Sequence, residues 1–361
     1  MPDKAKPEAR DQVRLQGPVC PLPLRHDEQI VLGHGSGGTM THNLVRRLFY
    51  AAFDNAPLLA GDDSAVLDLP GPGRLALTTD SHIVAPLFFP GGDIGRLAVC
   101  GTVNDLAMVG ARPLGLTAGF ILEEGLPIEV LERLTESMRL AAEEAGIRIV
   151  AGDTKVVERG KGDGLFINTS GLGWVPAGRE ISGGRAQPGD AVLLTGTVGD
   201  HGIAVMAARG GLALEIDVLS DVAPLNRLVE GLLAVFPEVH VLRDPTRGGV
   251  ATALNEIARQ SGVAIQLMET TIPINPAVES ACELLGLDPL YVANEGKALI
   301  LLPEAQAQPA LELLRSLPYG EGAVQIGTVR PAPAGRVLMR TGIGGTRVVD
   351  TLSGEMLPRI C

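Results

Sequence analysis

IGRLAVCGTVNDLAMVGARPLGLTAGFILEEGLPIEVLERLTESMRLAAEEAGIRIV, residues 94–150, carries the alternation that decides the fold. Apolar residues recur at helical spacing over 94–109, and the break Gly110-Ala111-Arg112-Pro113 ends that helix. An apolar run over 114–122 predicts a strand. A second helical pattern fills 127–145, opened by Pro127 in its first turn and closed by Gly146 just past its end. Residues 147–150 then return to a strand. Strands interleaved with helices in this way predict an α/β chain of the α+β type.

Working outward, the spacing predicts strands over 29–32 and 75–79, a helix over 41–52, and a strand over 165–174. A glycine- and proline-bearing stretch, 178–190, reads as a linker. The style then repeats, with strands over 191–195, 263–267, 298–302 and 323–329 and helices over 222–235, 249–260 and 304–317. The expected division is an irregular leader over 1–28, a first domain over 29–177, a second α/β domain over 178–330, and a tail over 331–361 with one weak hairpin near 342–345.

With 361 residues, 45% of them hydrophobic, the chain can bury two cores of ordinary size. Its formal charge of −12, without a Lys/Arg-rich run, argues against nucleic acid or an anionic membrane as main partner. A phosphate ligand must therefore be held by backbone amides, a few cations or a metal. Cysteines at 20, 100, 282 and 361 form neither a CxxC pair nor a disulfide framework, which points to a reducing cytoplasm. No run of eighteen apolar residues exists to span a membrane.

Gly33-His34-Gly35-Ser36-Gly37-Gly38 lies between a predicted strand and a helix, where glycine lets amides approach a phosphate. It satisfies GxGxxG, yet no acidic residue follows at a second strand end, so a tight turn explains it almost as well. Asp62, Asp63, Asp80, Asp105 and Asp153 each sit at an element end among small residues. Singly each reads as a cap or turn. As a set they fit Mg²⁺, which takes one or two carboxylates plus nucleotide oxygens. Lys155 follows Asp153 and can meet a phosphate as a point charge. Glu295, in Asn294-Glu295-Gly296-Lys297, can act as a base if its surroundings raise its pKa. The chain ends on a thiol, Cys361, behind Pro358-Arg359-Ile360, as a carrier arm would. Neither His34 nor His82 has a second soft ligand at metal spacing, and Cys100 and Cys282 fall in apolar helical patterns as core residues.

Taken together, residues 33–38, 62–66, 78–81, 86–95, 104–105, 110–113, 152–157, 244–249, 294–297 and 358–361 resemble the HypE family of hydrogenase maturation factors. That family lies within the PurM-like superfamily of aminoimidazole ribonucleotide and selenophosphate synthetases. The resemblance spans nearly everything from about residue 29 onward. It implies a two-domain PurM-like fold whose N-terminal mixed sheets pair in a homodimer, with ATP and Mg²⁺ near that interface and a flexible C-terminal tail. It also implies carbamoyl transfer to Cys361 by the carbamoyltransferase HypF, then ATP-dependent dehydration to a thiocyanate. The cyanide would pass to iron on the HypC–HypD scaffold, for the NiFe hydrogenase. By the same resemblance the catalytic residues are Cys361, Glu295 and Lys155. ATP would lie on Gly35, Ser36, Gly37, Gly38, Asp80, Asn104, Asp105, Asp153, Thr154 and Lys155, and metal on Asp62, Asp63, Asp80, Asp105 and Asp153. Two alternatives remain at this point: a small-molecule ATP-dependent synthetase or kinase of the superfamily, and a non-enzymatic carrier.

Overall fold

The structure, a computed structural model, describes residues 28–35, 39–59, 67–210, 217–351 and 359–361. The expected sites at Ser36, Gly37, Gly38, Asp62 and Asp63, the leader up to residue 27, and the tail's Pro358 lie outside the described residues.

In chain order, α1 (Thr39–Leu44) runs into a π-helical stretch over Val45–Tyr50 and is followed by α2 (Ala56–Leu59) and β1 (Gly73–His82). A short ribbon of β2 (Phe88–Phe89) and β3 (Gly92–Asp93) leads into α3 (Ile94–Met108), then β4 (Arg112–Glu123), α4 (Ile128–Ala145), β5 (Ile149–Val157) and β6 (Leu165–Pro176). The first sheet has the order β1-β6-β4-β5. It is mixed: β4 and β5, joined through α4, are parallel, and the other pairs are antiparallel.

The caps explain where the helices stop. Asp93 accepts from the amides of Gly95 and Arg96 at 2.8 and 2.9 Å and so starts α3. Gly146, at φ 71°, closes α4 in the left-handed region. α4 shows one apolar face to the core, whereas α3 is buried on nearly every side, because it lies between the first sheet and the second domain.

The second domain comprises β7 (Asp190–Leu194), α5 (Asp200–Ala208), α6 (Asn226–Val235), β8 (Val241–Arg243), α7 (Gly249–Ser261), β9 (Ala264–Met268), α8 (Pro276–Leu285), β10 (Leu299–Pro303), α9 (Glu304–Arg315), β11 (Val324–Arg330), β12 (Arg336–Arg340) and β13 (Thr346–Val349). Its sheet order is β13-β12-β9-β11-β7-β10-β8.

Two departures from the sequence expectation matter. Residues 331–349 are not tail, because β12 pairs in parallel with β9 and takes β13 with it, extending the second sheet to Val349. β5 also runs on through Gly152-Asp153-Thr154-Lys155, which had read as an element end. The β4 ladder, with Gly119 opposite Asp153, supplies the hydrogen bonds that local turn preference would otherwise draw away.

The face of the first sheet turned away from α3 and α4 is uncovered. It exposes Leu75, Leu77 and Ile121, with Leu77 79% exposed.

Candidate active site

Acidic groups from both domains meet where α3 packs under the second sheet. From the first domain come Asp80, at the end of β1, and Asp105 on α3, whose carboxylate accepts from the Thr78 hydroxyl at 2.8 Å. His82 is buried, with Nε2 3.6 Å from Asp80 Oδ2 and no hydrogen-bond partner for Nδ1. Burial lowers its pKa, against the pull of Asp80, so the ring is neutral.

From the second domain come Asp221, Asp244, Arg247 and Glu295. Asn294 sets the Glu295 loop, its side-chain oxygen accepting from Gly199 N at 2.7 Å and its amide donating to Pro245 O at 2.9 Å. Gly296 is required by proximity, since a Cβ there would stand 1.8 Å from Asp221 O. Glu295 N donates to Asp221 Oδ1 at 3.0 Å, and Lys297 Nζ lies 3.6 Å from the other Asp221 oxygen.

Glu295 itself is 4% exposed and its Oε1 has no hydrogen-bond partner. Burial, then the neighbouring Asp244, Asp221 and Asp80, raise its pKa well above the usual carboxylate range, while Arg247 opposes them. Asp244 is pushed up to about 7, chiefly by burial and then by Asp105. A cleft of about 690 Å³ opens beside these groups, lined by Thr78, Asp105, Arg243, Asp244, Thr246 and Arg247 among others. The seam therefore holds carboxyls raised above the usual range, Asp244 to about 7 and the buried Glu295 well above its ordinary value, next to cations suited to phosphate.

The chain end is drawn into the same seam. Ile360 is buried in the first domain's core, and Cys361 packs against it. Ile83 N, next to His82, donates to Cys361 O at 3.2 Å, and Ala85 N donates to Arg359 O at 3.3 Å. His201, on α5, meets Ile360 O at 2.7 Å. Its other ring nitrogen meets Ser220, the neighbour of Asp221. The last residues are thus held between the strand end that carries Asp80 and His82 and the loop that positions Glu295.

A second group of expected residues stands elsewhere. Lys155 Nζ pairs with Asp153 at 2.5 and 2.6 Å on exposed β5, and this hydrogen bond lowers the Asp153 pKa. Gly35 abuts this strand, since a Cβ there would come within 2.6 Å of Val156 N. Beside it is a slot of about 220 Å³ lined by Phe49, Tyr50, Phe53, Phe120, Asp153 and Thr154 among others. The register puts Ser81, Asn168, Gly119 and Asp153 in one row across the sheet. Three strand spacings separate its ends, about 14 Å. Alternation then places Asp153 and Lys155 on the uncovered face, whereas Asp80 and His82 point toward α3. Within one chain the structure brings together Asp80, Asp105, Glu295 and the Cys361 end. It keeps Gly35, Asp153, Thr154 and Lys155 at the opposite edge.

Asn104, expected near ATP, is buried and spends its amide on the second domain. Its nitrogen donates to Ala223 O at 3.0 Å and Glu295 O at 3.2 Å, and its oxygen accepts from Leu225 N at 2.7 Å. Truncation in Asn104→Ala strands three buried backbone groups, and we expect a loss of about 3 kcal/mol in urea unfolding. Unchanged stability would remove the cross-link role. Asp221, His201 and Arg209 were not singled out from sequence. Each acts through a contact far along the chain, so no local spacing announces it.

The sequence profile of the AIR synthase related protein, N-terminal domain, matches residues 61–175, and that of its C-terminal domain matches residues 187–340. Carbamoyl dehydratase HypE of Cupriavidus necator is 56% identical over 333 residues, 92% of this chain and 95% of that protein. This chain belongs to the HypE family of carbamoyl dehydratases. A crystal structure of the hydrogenase maturation protein HypE in complex with ATP is 53% identical with a TM-score of 0.88, covering 92% of this chain and 99% of that one. A HypE chain from a HypE–HypF complex is 50% identical with a TM-score of 0.75, covering 87% and 100%. The two-domain PurM-like fold expected from the sequence is the fold of these HypE structures.

Proposed function

We propose that this HypE protein carries a carbamoyl group on Cys361 and dehydrates it at the seam to a thiocyanate. The observation that carries this reading is the docking of the chain end on His201, which bonds Ser220 next to Asp221, the residue that holds the amide of the buried Glu295. An amide oxygen is a poor leaving group. The γ-phosphoryl of ATP is transferred to it, the nitrogen gives up two protons, and the C–O bond breaks to release phosphate and leave S–C≡N. Holding the chain end in a fixed approach lowers the barrier by making the attack of the carbamoyl oxygen on the γ-phosphoryl effectively unimolecular.

Glu295 accepts a proton from the carbamoyl nitrogen. In the resting protein the charges on Asp244, Asp221 and Asp80 help keep it protonated, so it becomes a base when those charges are compensated. Among the described residues no three His, Cys, Asp or Glu side chains converge as a metal cage. That fits Mg²⁺, which needs only one or two carboxylates and completes its shell with phosphate oxygens and water. Asp80 and Asp105 would hold it, and it would neutralise the phosphates. Arg247 adds a guanidinium at the cleft.

Lys155 is on the uncovered face of β5, whereas Glu295, in a second-domain loop, lies on the α3 side near Asp80, so a single chain does not unite them. The uncovered face with Leu75, Leu77 and Ile121 supports a homodimer in which the partner copy brings the Asp153, Thr154 and Lys155 edge, with the Gly35 loop, to the seam. HypF is the carbamoyl donor partner, supported by the HypE–HypF complex. HypC–HypD receives the cyanide for the NiFe hydrogenase iron. The free cysteines at 100 and 282 support a reducing, cytoplasmic setting, and a formal charge of −12 supports a partner set without nucleic acid.

The test is the mass of the peptide 356–361, released by cleavage after Glu355, following incubation with HypF, carbamoyl phosphate and ATP. Gain of one carbamoyl group, then loss of one water on chasing with Mg·ATP, is the expected result. A chain lacking Cys361 that still turns over ATP on a small substrate would instead favour the synthetase reading.

A further inference from the structure

The two ends of α5 face the last residues of the chain, and what they hold is main chain. His201 is fully buried and its Nε2 lies 2.7 Å from Ile360 O. A carbonyl only accepts, so Nε2 carries the proton. Burial lowers the His201 pKa, which leaves Nδ1 unprotonated as an acceptor for the Ser220 hydroxyl at 2.8 Å. Val222 N in turn donates to Ser220 Oγ at 3.2 Å. The chain Val222, Ser220, His201, Ile360 thus runs donor to acceptor with every member satisfied. Phe89 packs edge-on against the imidazole, ring centroids 5.4 Å apart, and fixes its plane.

At the other end of α5, Arg209 donates through Nε to Ala85 O at 2.7 Å and through Nη2 to Arg359 O. The same segment of the first domain supplies the Ile83 and Ala85 amides to Cys361 O and Arg359 O.

We infer that His201 and Arg209 form a latch that grips the carbonyls of Ile360 and Arg359 and so fixes the path of the chain end that carries the reacting sulfur. This rests on the reading of Cys361 as carrier. Both are positioning residues, since neither reaches the sulfur through the contacts named. The grip is on two carbonyls and the Ile360 side chain, so the latch holds a free and a carbamoylated end alike. With the peptide fixed on both sides of Ile360, the sulfur moves chiefly by rotation about its own Cα–Cβ bond.

Histidine offers a test in which two conservative replacements pull apart. His201→Gln keeps a donor where Nε2 was and gives up the Ser220 contact. His201→Asn keeps the Ser220 side and gives up Ile360. In the full-length protein, the rate of Cys361 alkylation by iodoacetamide is read on peptide 356–361. We expect His201→Gln to stay near the unsubstituted rate, and His201→Asn and Arg209→Met to react about tenfold faster, the effect of one buried hydrogen bond on a docking equilibrium.

Single-turnover loss of water from the carbamoylated protein should slow in the same order, with ATP affinity unchanged. If Asn reacts like the unsubstituted protein, or Gln as fast as Asn, the latch is wrong and His201 serves Ser220 or packing alone. Should the Asn variant fail to fold, Arg209→Met decides on the same scale. The latch and the dehydratase reading can fail separately. Alkylation rates in the expected order, in a protein that never forms thiocyanate, keep the latch and remove the chemistry. Thiocyanate formed with uniform alkylation rates removes the latch alone.

Discussion

Glu295→Gln is expected to lower the single-turnover rate of thiocyanate formation by about 10³-fold, in the range for loss of a positioned base. ATP binding by calorimetry should be unchanged. The same substitution should raise stability. In the unfolded chain Glu295 ionises near about pH 4.3, whereas in the folded chain burial and three carboxylates hold its proton well above that value. Below the unfolded pKa the group is neutral in both states and carries no penalty. As pH rises above it, the unfolded state gains a solvated charge that the folded state resists, so Glu295 destabilises the fold progressively. The gain in Tm from Glu295→Gln should therefore be larger at pH 8 than at pH 5, measured without nucleotide or metal. A fall in Tm at pH 8 would contradict the buried-carboxyl account, and full dehydration activity would place the base elsewhere.

The second large effect concerns the divided site. Lys155→Ala and Glu295→Gln should each be nearly inactive alone, with dehydration down by about two orders of magnitude or more. If the partner copy supplies Lys155, unfolding and refolding the two variants together re-forms sites in which both residues are native. Random pairing makes half of the dimers mixed, each with one intact site, so activity should recover to about a quarter of the unsubstituted level. No recovery, with mixed dimers present by native mass spectrometry, would mean that Lys155 and Glu295 serve the same chain or that Lys155 is a surface partner of Asp153 only.

The alternation over residues 94–150 was legible because α4 and β4 obey their own periods, because α3 is a long apolar run ended by Gly110, and because Gly146 caps α4 by a contact a few residues long. β5 beyond Val150 was not legible, since Gly152-Asp153-Thr154-Lys155 is strand only by virtue of the β4 ladder. The hairpin expected near 342–345 is the β12–β13 pair, turning between Arg340 and Thr346, but its place in the second sheet was hidden for the same reason, the partner of β12, β9, lying some seventy residues earlier. Asp80 and Asp105 were found as acidic groups among small residues at element ends, and Glu295 as one in a glycine-flanked loop. That Asn104 is an interdomain cross-link was not, because an asparagine near aspartate reads the same whether it faces a nucleotide or the backbone of another domain.

The sequence by itself determined the chemistry available: carboxylates among small residues at element ends and in one glycine-flanked loop, Lys155 beside Asp153, and the thiol of Cys361, in an order that resembles the HypE family. Those are properties of residue type and near neighbours, and they survive without a fold. Only the tertiary structure decided which carboxyl holds its proton, that the chain end is docked through its carbonyls by His201 and Arg209, and that Lys155 stands apart from Glu295. Each of these depends on desolvation, or on contacts between segments tens to hundreds of residues apart. Burial and long-range hydrogen bonds exist only once the two sheets have packed on α3.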